Sequence, residues 1–197
     1  GQKLYKHTAS AGMYEGDVSD GEPAVVKRMS YVPRGTYGNL LTGLYAPAGE
    51  VVTIEMSAED ARATGGLIVY IGQALTNGAQ NNIWAARDFV RMPNICNKME
   101  TEGECSYVGS FLGGPVYLAP RKNCRSFCVT ISGAVSYPHY IHGYTSRKEY
   151  EELQKSTAPY FDLEVWDDAV RHSGPAFRAS KFGYDELVEA AELWDKI

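Results

Sequence analysis

Apolar positions along this chain follow two periods. In "EVVTIEM" (50–56), Val52, Ile54 and Met56 fall on one side and Val51, Thr53 and Glu55 on the other. That is the alternation of a strand buried on one face. Pro47 and Gly49 supply the turn that leads into it. Further short runs of strand type follow: "GLIVYIG", "RDFVRM", "SYVGSFL", "PVYLAP" and "SFCVTISGAV". Gly, Pro, Asn and charged clusters separate them, at spacings that suit an antiparallel sandwich. Residues 1–38 are turn-rich and weakly periodic, with "EGDVSDGEP" as the clearest loop, and "TNGAQNNIWAA" (76–86) reads as a long exposed loop.

The helical period enters in three places. "SAEDARATG" (57–65) fits one or two helical turns, with Ser57 as N-cap and Asp60 in the capping-box position. "SRKEYEELQKS" repeats the device with Ser146 and Glu149, and sets Tyr150 and Leu153 on one face. "YDELVEAAELWDKI" places Tyr184, Leu187, Val188, Ala191 and Trp194 on an amphipathic stripe. Between the last two, "LEVWDD" and "PAFRAS" look like strands. The fold predicted is mainly β with an α+β tail: an antiparallel β-sandwich (jelly-roll-like), then a small strand-helix subdomain. Its divisions are a loop-rich extension over 1–36, the sandwich over 37–142, and over 143–197 the start of an α/β subdomain, truncated. The final helix needs a surface to pack on, either the sandwich or further polypeptide, and is expected to fray without one.

At 197 residues and 44% hydrophobic, the chain can bury one good core or one core with a small appendage. A net charge of −5 and no long basic run exclude a nucleic-acid backbone as partner. No apolar run approaches the roughly 18 residues of a membrane-spanning helix. The first residues, "GQKLYK", are too polar for a signal peptide, so the chain reads as cytosolic or as lacking a removed leader. The four cysteines, Cys96, Cys105, Cys124 and Cys128, allow three pairings, the local one joining Cys96 to Cys105 and Cys124 to Cys128. Polar loops around them suit disulfide staples in an oxidising compartment. Four reduced thiols and a zinc knot are the alternatives, and C-x8-C with C-x3-C is poor spacing for zinc.

Candidate chemistry is sparse. His139 and His142 in "HYIH" lack the glutamate of His-Glu-x-x-His, and on an extended segment their rings point to opposite faces. The chain has no G-x-S-x-G and no G-x-x-x-x-G-K-[ST]. By itself it shows no catalytic or metal-ligating constellation. Aromatic residues are the remaining resource: Trp84, with Arg87 beside it, and Tyr117 are the candidates for contacting a sugar.

One resemblance gathers these segments. "TGLYAPAGEVVTIEM", "GLIVYIGQ", "FVRMPNI", "FLGGPVYL", "GAVSYPHYIHGYTSRKEYEELQKSTAPYFDLE" and "LVEAAELWDKI" occur in the order of similar segments in the enhancin-like, mucin-targeting zinc metallopeptidases (peptidase family M-sixty). The resemblance covers roughly residues 37–197. It implies the N-terminal portion of such a domain, without the His-Glu-x-x-His part, which in the family follows the Trp-Asp helix. No zinc ligand or general base can be carried over. The family's His and Asp after Ile-Gly are replaced by Gln73, Ala74 and Leu75. What the resemblance implies is a secreted or cell-surface parent enzyme acting on mucin-like O-glycoproteins. Zinc would be held by a C-terminal catalytic segment missing from this chain, which itself has no cofactor. The alternative is a free-standing lectin-like or adhesin-type module that binds a glycan or glycoprotein without catalysis.

Overall fold

The computed structural model describes residues 16–33, 39–72, 96–165 and 170–196. Its strands are β1 (Val25–Tyr31), β2 (Leu40–Ala46), β3 (Val51–Glu55), β4 (Leu67–Ile71), β5 (Asn97–Glu100), β6 (Cys105–Gly109), β7 (Gly114–Pro120), β8 (Phe127–Ser136), β9 (His139–Ile141), β10 (Tyr160–Val165) and β11 (Val170–Pro175). The helices are α1 (Ala58–Thr64), α2 (Arg147–Leu153), α3 (Ala176–Ala179) and α4 (Tyr184–Trp194).

Two antiparallel layers face each other across the main core. One has the order β1-β8-β3-β6 and the other β5-β4-β7-β2. They share β8, in which Phe127 to Ser132 and Ala134 pair with β1 while Val135 and Ser136 pair with β2. The crossover sits at Gly133, with φ +84°, where a Cβ would stand 2.5 Å from the Val51 carbonyl oxygen. A bulge there bends the strand from one layer into the other. Alternation then does what the sequence predicted: Val52 and Ile54 of β3, Leu67, Val69 and Ile71 of β4, and Val129 and Ile131 of β8 meet in the core.

A small sheet, β11-β10-β9, covers the outer face of the second layer. Parallel β9 and β10 are joined through α2, a βαβ unit, and β11 runs antiparallel on the edge. In β10 the alternation separates two surfaces. Phe161, Leu163 and Val165 pack under α2 and α4, whereas Tyr160 packs toward the sandwich. The molecule is therefore mainly β, an antiparallel sandwich followed by a small strand-helix unit.

The caps form as read. Ser57 Oγ accepts from the Asp60 amide at 3.0 Å and Ser146 Oγ from the Glu149 amide at 3.2 Å. Three segments differ. β1 lies within the loop-rich 1–36 stretch; Lys27 sits in its inward row with Val25, Met29 and Tyr31, which hides the period. β9 lies within 37–142 yet begins the small sheet. "PAFRAS", read as a strand, holds the short helix α3, because Pro175 ends the β11 ladder and presets the backbone for a helical turn. "RDFVRM" and the 76–86 loop lie outside the described residues.

Among the described residues there is no disulfide. Cys105, Cys124 and Cys128 carry free thiols, and Cys96 is buried at the foot of β5. Cys96 stands at the end of β5 away from the loop to β6, so four residues of strand, about 13 Å at ~3.3 Å per residue, set it back from Cys105 at the start of β6. Cys124 packs as a small apolar side chain against the main core.

Candidate functional site

The sandwich and the small sheet meet over β2, and β2 is buried along all seven of its residues. This explains the stretch "TGLY", which no local turn or strand rule requires. Between Leu41 and Tyr45 the pairing of β2 with β7 slips. Thr42 fills the gap: its hydroxyl donates to the Val116 carbonyl at 2.6 Å and accepts from the Leu44 amide at 3.1 Å. Lys27 Nζ, reaching across from β1, donates to the Thr42 carbonyl at 3.0 Å. Gly43 has φ +67°, and a Cβ there would stand 2.5 Å from Cε1 of His139. The bulge thus makes room for a buried imidazole of the small sheet.

Beside His139 in the register lies Asp162. Its Oδ2 accepts from the Tyr117 hydroxyl at 2.8 Å and from the Tyr137 hydroxyl, and its Oδ1 accepts from Ser173. Tyr117 belongs to β7 and Tyr137 follows β8, so a carboxylate of the small sheet is held by two hydroxyls of the sandwich. Two residues along, Arg171 is paired with Glu164 at 2.6 Å, donates to the Asn39 carbonyl at 2.6 Å, and lies 4.9 Å from the Tyr117 ring centre. Burial pushes Asp162 above the usual carboxylate range, while its three hydroxyl donors and Arg171 pull the other way. Burial, then the charge of Asp162, raises Tyr117 and Tyr137. Burial, with Lys27 nearby, lowers His139 to about 4, so it is neutral at pH 7. Its Nδ1 stands 2.7 Å from the Tyr137 carbonyl. Such a cluster can hold two sheets in register; Asp162, Tyr117, Tyr137 and His139 bind one another or the backbone and are buried, with Ser173 at the exposed edge.

A second feature does face solvent. Between α4 and β11 runs a cleft of about 1000 Å³, floored by Phe161 and Leu163 and walled by His172, Phe182, Leu193 and Trp194. The rings of His172 and Trp194 lie 4.8 Å apart. Leu187 and Ala191, the buried residues of α4, point into the small unit's core, whereas Leu193 and Trp194 are 64% and 40% exposed. The helix therefore packs on the small sheet with part of its apolar stripe, and the rest lines the cleft.

Of the sugar-contact candidates, Tyr117 is only 2% exposed, with its hydroxyl on Asp162 and its ring under Arg171. Trp84 and Arg87 lie outside the described residues. Sequence reasoning missed Asp162, Glu164 and Arg171. A signal was available: in "YFDLEV" two acids alternate within a run of large apolar residues, a pattern that demands buried partners. Metal ligands do not assemble: among the described residues no three His, Cys, Asp or Glu side chains converge. His139 and His142 face the Tyr137 carbonyl and the Tyr140 hydroxyl. These residues do not fit a zinc site.

The model of the N-terminal domain of M60-like peptidases matches residues 24–132, from the first strand to the crossover in β8. The chain belongs to this M60-like family. TRPM8 channel-associated factor 3 of Rattus norvegicus is 30% identical over 159 residues, covering 79% of this chain and 16% of that protein. TRPM8 channel-associated factor 1 of Homo sapiens is 28% identical over 168 residues, 84% of this chain and 17% of that protein. The M60-like chain thus spans about a sixth of the length of these relatives. Among solved structures, the M60 catalytic domain of Clostridium perfringens ZmpB, determined with its CBM51-1 and CBM51-2 domains, superposes with TM-score 0.62 at 16% identity. The match covers 87% of this chain and 21% of that one. IMPa from Pseudomonas aeruginosa, in complex with an O-glycopeptide, gives TM-score 0.59 at 14% identity, with 91% and 20% covered. At such identities the likeness is one of fold.

Proposed function

We propose that this chain is the N-terminal, non-catalytic scaffold of a secreted or surface zinc metallopeptidase that acts on mucin-like O-glycoproteins. The observation carrying this reading is the joint. Asp162 and His139 fasten a sandwich to the opening βαβ unit of a second layer, and that layer keeps a solvent-open apolar cleft beside its edge strand. A scaffold needs such rigidity, and the open cleft leaves a place for the missing C-terminal catalytic segment. The fold shared with a ZmpB catalytic domain and with IMPa supports the same direction. Zinc belongs, in this reading, to residues of the longer protein.

The test compares the 197-residue chain with the full-length parent on an O-glycosylated mucin, reading fragments by mass spectrometry. The parent is expected to cleave and to stop when chelated, while the chain alone binds no stoichiometric zinc and cleaves nothing. Zinc-dependent cleavage by the chain alone, or none by the parent, would overturn the proposal. A second reading has one observation in its favour: the relatives near 30% identity are named as channel-associated factors. On that reading the chain is a glycan- or glycoprotein-binding module without catalysis, and Trp84 and Arg87 are its proposed contacts. Glycan binding lost in Trp84→Ala, with no cleavage by the parent, would favour it.

A further inference from the structure

We propose that the chain pairs with a second copy of itself, β6 against β6 in antiparallel register, on a two-fold axis at Tyr107. The pairing does not depend on the function proposed above.

A strand at the edge of a sheet presents a row of unpaired amides and carbonyls. Folds protect such rows with charges, prolines, short strands or a covering segment. Most edges among the described residues are protected. β1 is closed onto β2 by its own side chains, Lys27 donating to the Thr42 carbonyl and Tyr31 to the Leu41 carbonyl. β5 is four residues long and carries Lys98 and Glu100. β9 is three residues long, and β11 carries Arg171 and ends in Pro175. β6 differs. It ends its layer with Cys105-Ser106-Tyr107-Val108-Gly109, which holds neither charge nor proline, and its pairing with β3 is regular.

The backbone of β6 is oriented for a partner. The carbonyls of Glu104 and Ser110 accept from the amides of Met56 and Gly49, both at 2.8 Å, so the even-numbered residues face β3. By alternation, the amides and carbonyls of Cys105, Tyr107 and Gly109 turn to the free side. These three residues complement themselves. With Tyr107 opposite Tyr107 of the second copy, Cys105 falls opposite Gly109 and Gly109 opposite Cys105, and each pair exchanges N–H and C=O. An unrelated extended peptide would meet the same groups. Only a second copy also brings a tyrosine to Tyr107, which is 73% exposed, and so forms a cross-strand aromatic pair. The register keeps like charges apart, since Glu104 of one copy lies beside Ser110 of the other. A two-fold contact consumes both edges, so assembly stops at two.

The test follows the 197-residue chain by sedimentation equilibrium. One strand pair is a small interface, so the dimer is expected to form over about 10–500 μM. Tyr107→Pro removes the amide donor on the axis from each copy and should abolish the dimer. That amide points away from β3, so the ladder within the fold is kept, which urea unfolding checks. Tyr107→Lys and Tyr107→Glu alter a side chain that is already exposed. Each alone should weaken the dimer about tenfold, through like charge on the axis and the lost aromatic pair. An equimolar mixture of the two should recover it as a heterodimer, and Tyr107→Phe should leave it unchanged. A monomer at every concentration, growth past two copies, a dimer indifferent to Tyr107→Lys, or a mixture no tighter than its components would each overturn the proposal. Whether the parent cleaves mucin bears on none of these outcomes.

Discussion

Replacing Asp162 by Ala tests the joint most directly. The side chain is fully buried, and its loss strands the hydroxyls of Tyr117 and Tyr137, 2% and 0% exposed, away from water. Each stranded buried hydroxyl costs about 1–3 kcal/mol. Ser173 is exposed and rehydrates, so the gross loss is about 2–6 kcal/mol. Against it stands the relief of a buried charge: burial raises Asp162, so the ionised form itself disfavours the fold. The net expectation is about 2–4 kcal/mol lost at neutral pH, read by urea unfolding monitored through fluorescence. Asp162→Asn keeps an acceptor and should lose less than half as much. The raised folded pKa fixes a sign as well. The ionised carboxylate costs stability above that pKa, and the cost is relieved as pH falls toward the unfolded value. The stability of the wild type relative to Asp162→Asn should therefore grow on acidification from neutrality toward the ordinary carboxylate range. An Asp162→Ala loss below about 1 kcal/mol, or a relative stability that falls with acid, would refute this account of the joint.

Further outcomes follow from the same contacts. Gly43→Ala must adopt φ +67° and meet the His139 ring, and should cost about 2–4 kcal/mol by chemical denaturation. Thr42→Val leaves the Val116 carbonyl and the Leu44 amide without their hydroxyl, for about 1–3 kcal/mol on the same assay. His139, lowered to about 4, stays neutral in the fold while the unfolded chain takes a proton below about 6.5. Its contribution is present above that value and is lost as pH falls toward 4. A stability-versus-pH profile should show a loss across this window that His139→Gln removes; an unchanged slope would place the titration elsewhere.

The sequence by itself determined the elements whose cause is local. Ser57 and Ser146 cap helices because each hydroxyl meets an amide three residues on, and that relation needs no other part of the chain. Alternation in "EVVTIEM", "GLIVYIG" and "SFCVTISGAV" determined strands with one buried face, since the pleat has period two. The order of these runs, with the final amphipathic stripe, determined a sandwich followed by a strand-helix unit. Tertiary structure decided what depends on residues far apart. "PAFRAS" became helix once Pro175 closed the β11 ladder. β1 joined β8 despite the lysine in its inward row, because Lys27 reaches the Thr42 carbonyl. Cys96 and Cys105 were set apart by the length of β5. Above all, Tyr117 read as a surface aromatic and is instead a buried donor to Asp162, 45 residues away. A side chain's burial is settled by which sheet covers it, and the small sheet that covers Tyr117 begins only at residue 139. Thr42 and Gly43 carry the same lesson: their pairing of hydroxyl and bare Cα has no local purpose, and acquires one when a second layer must close over β2.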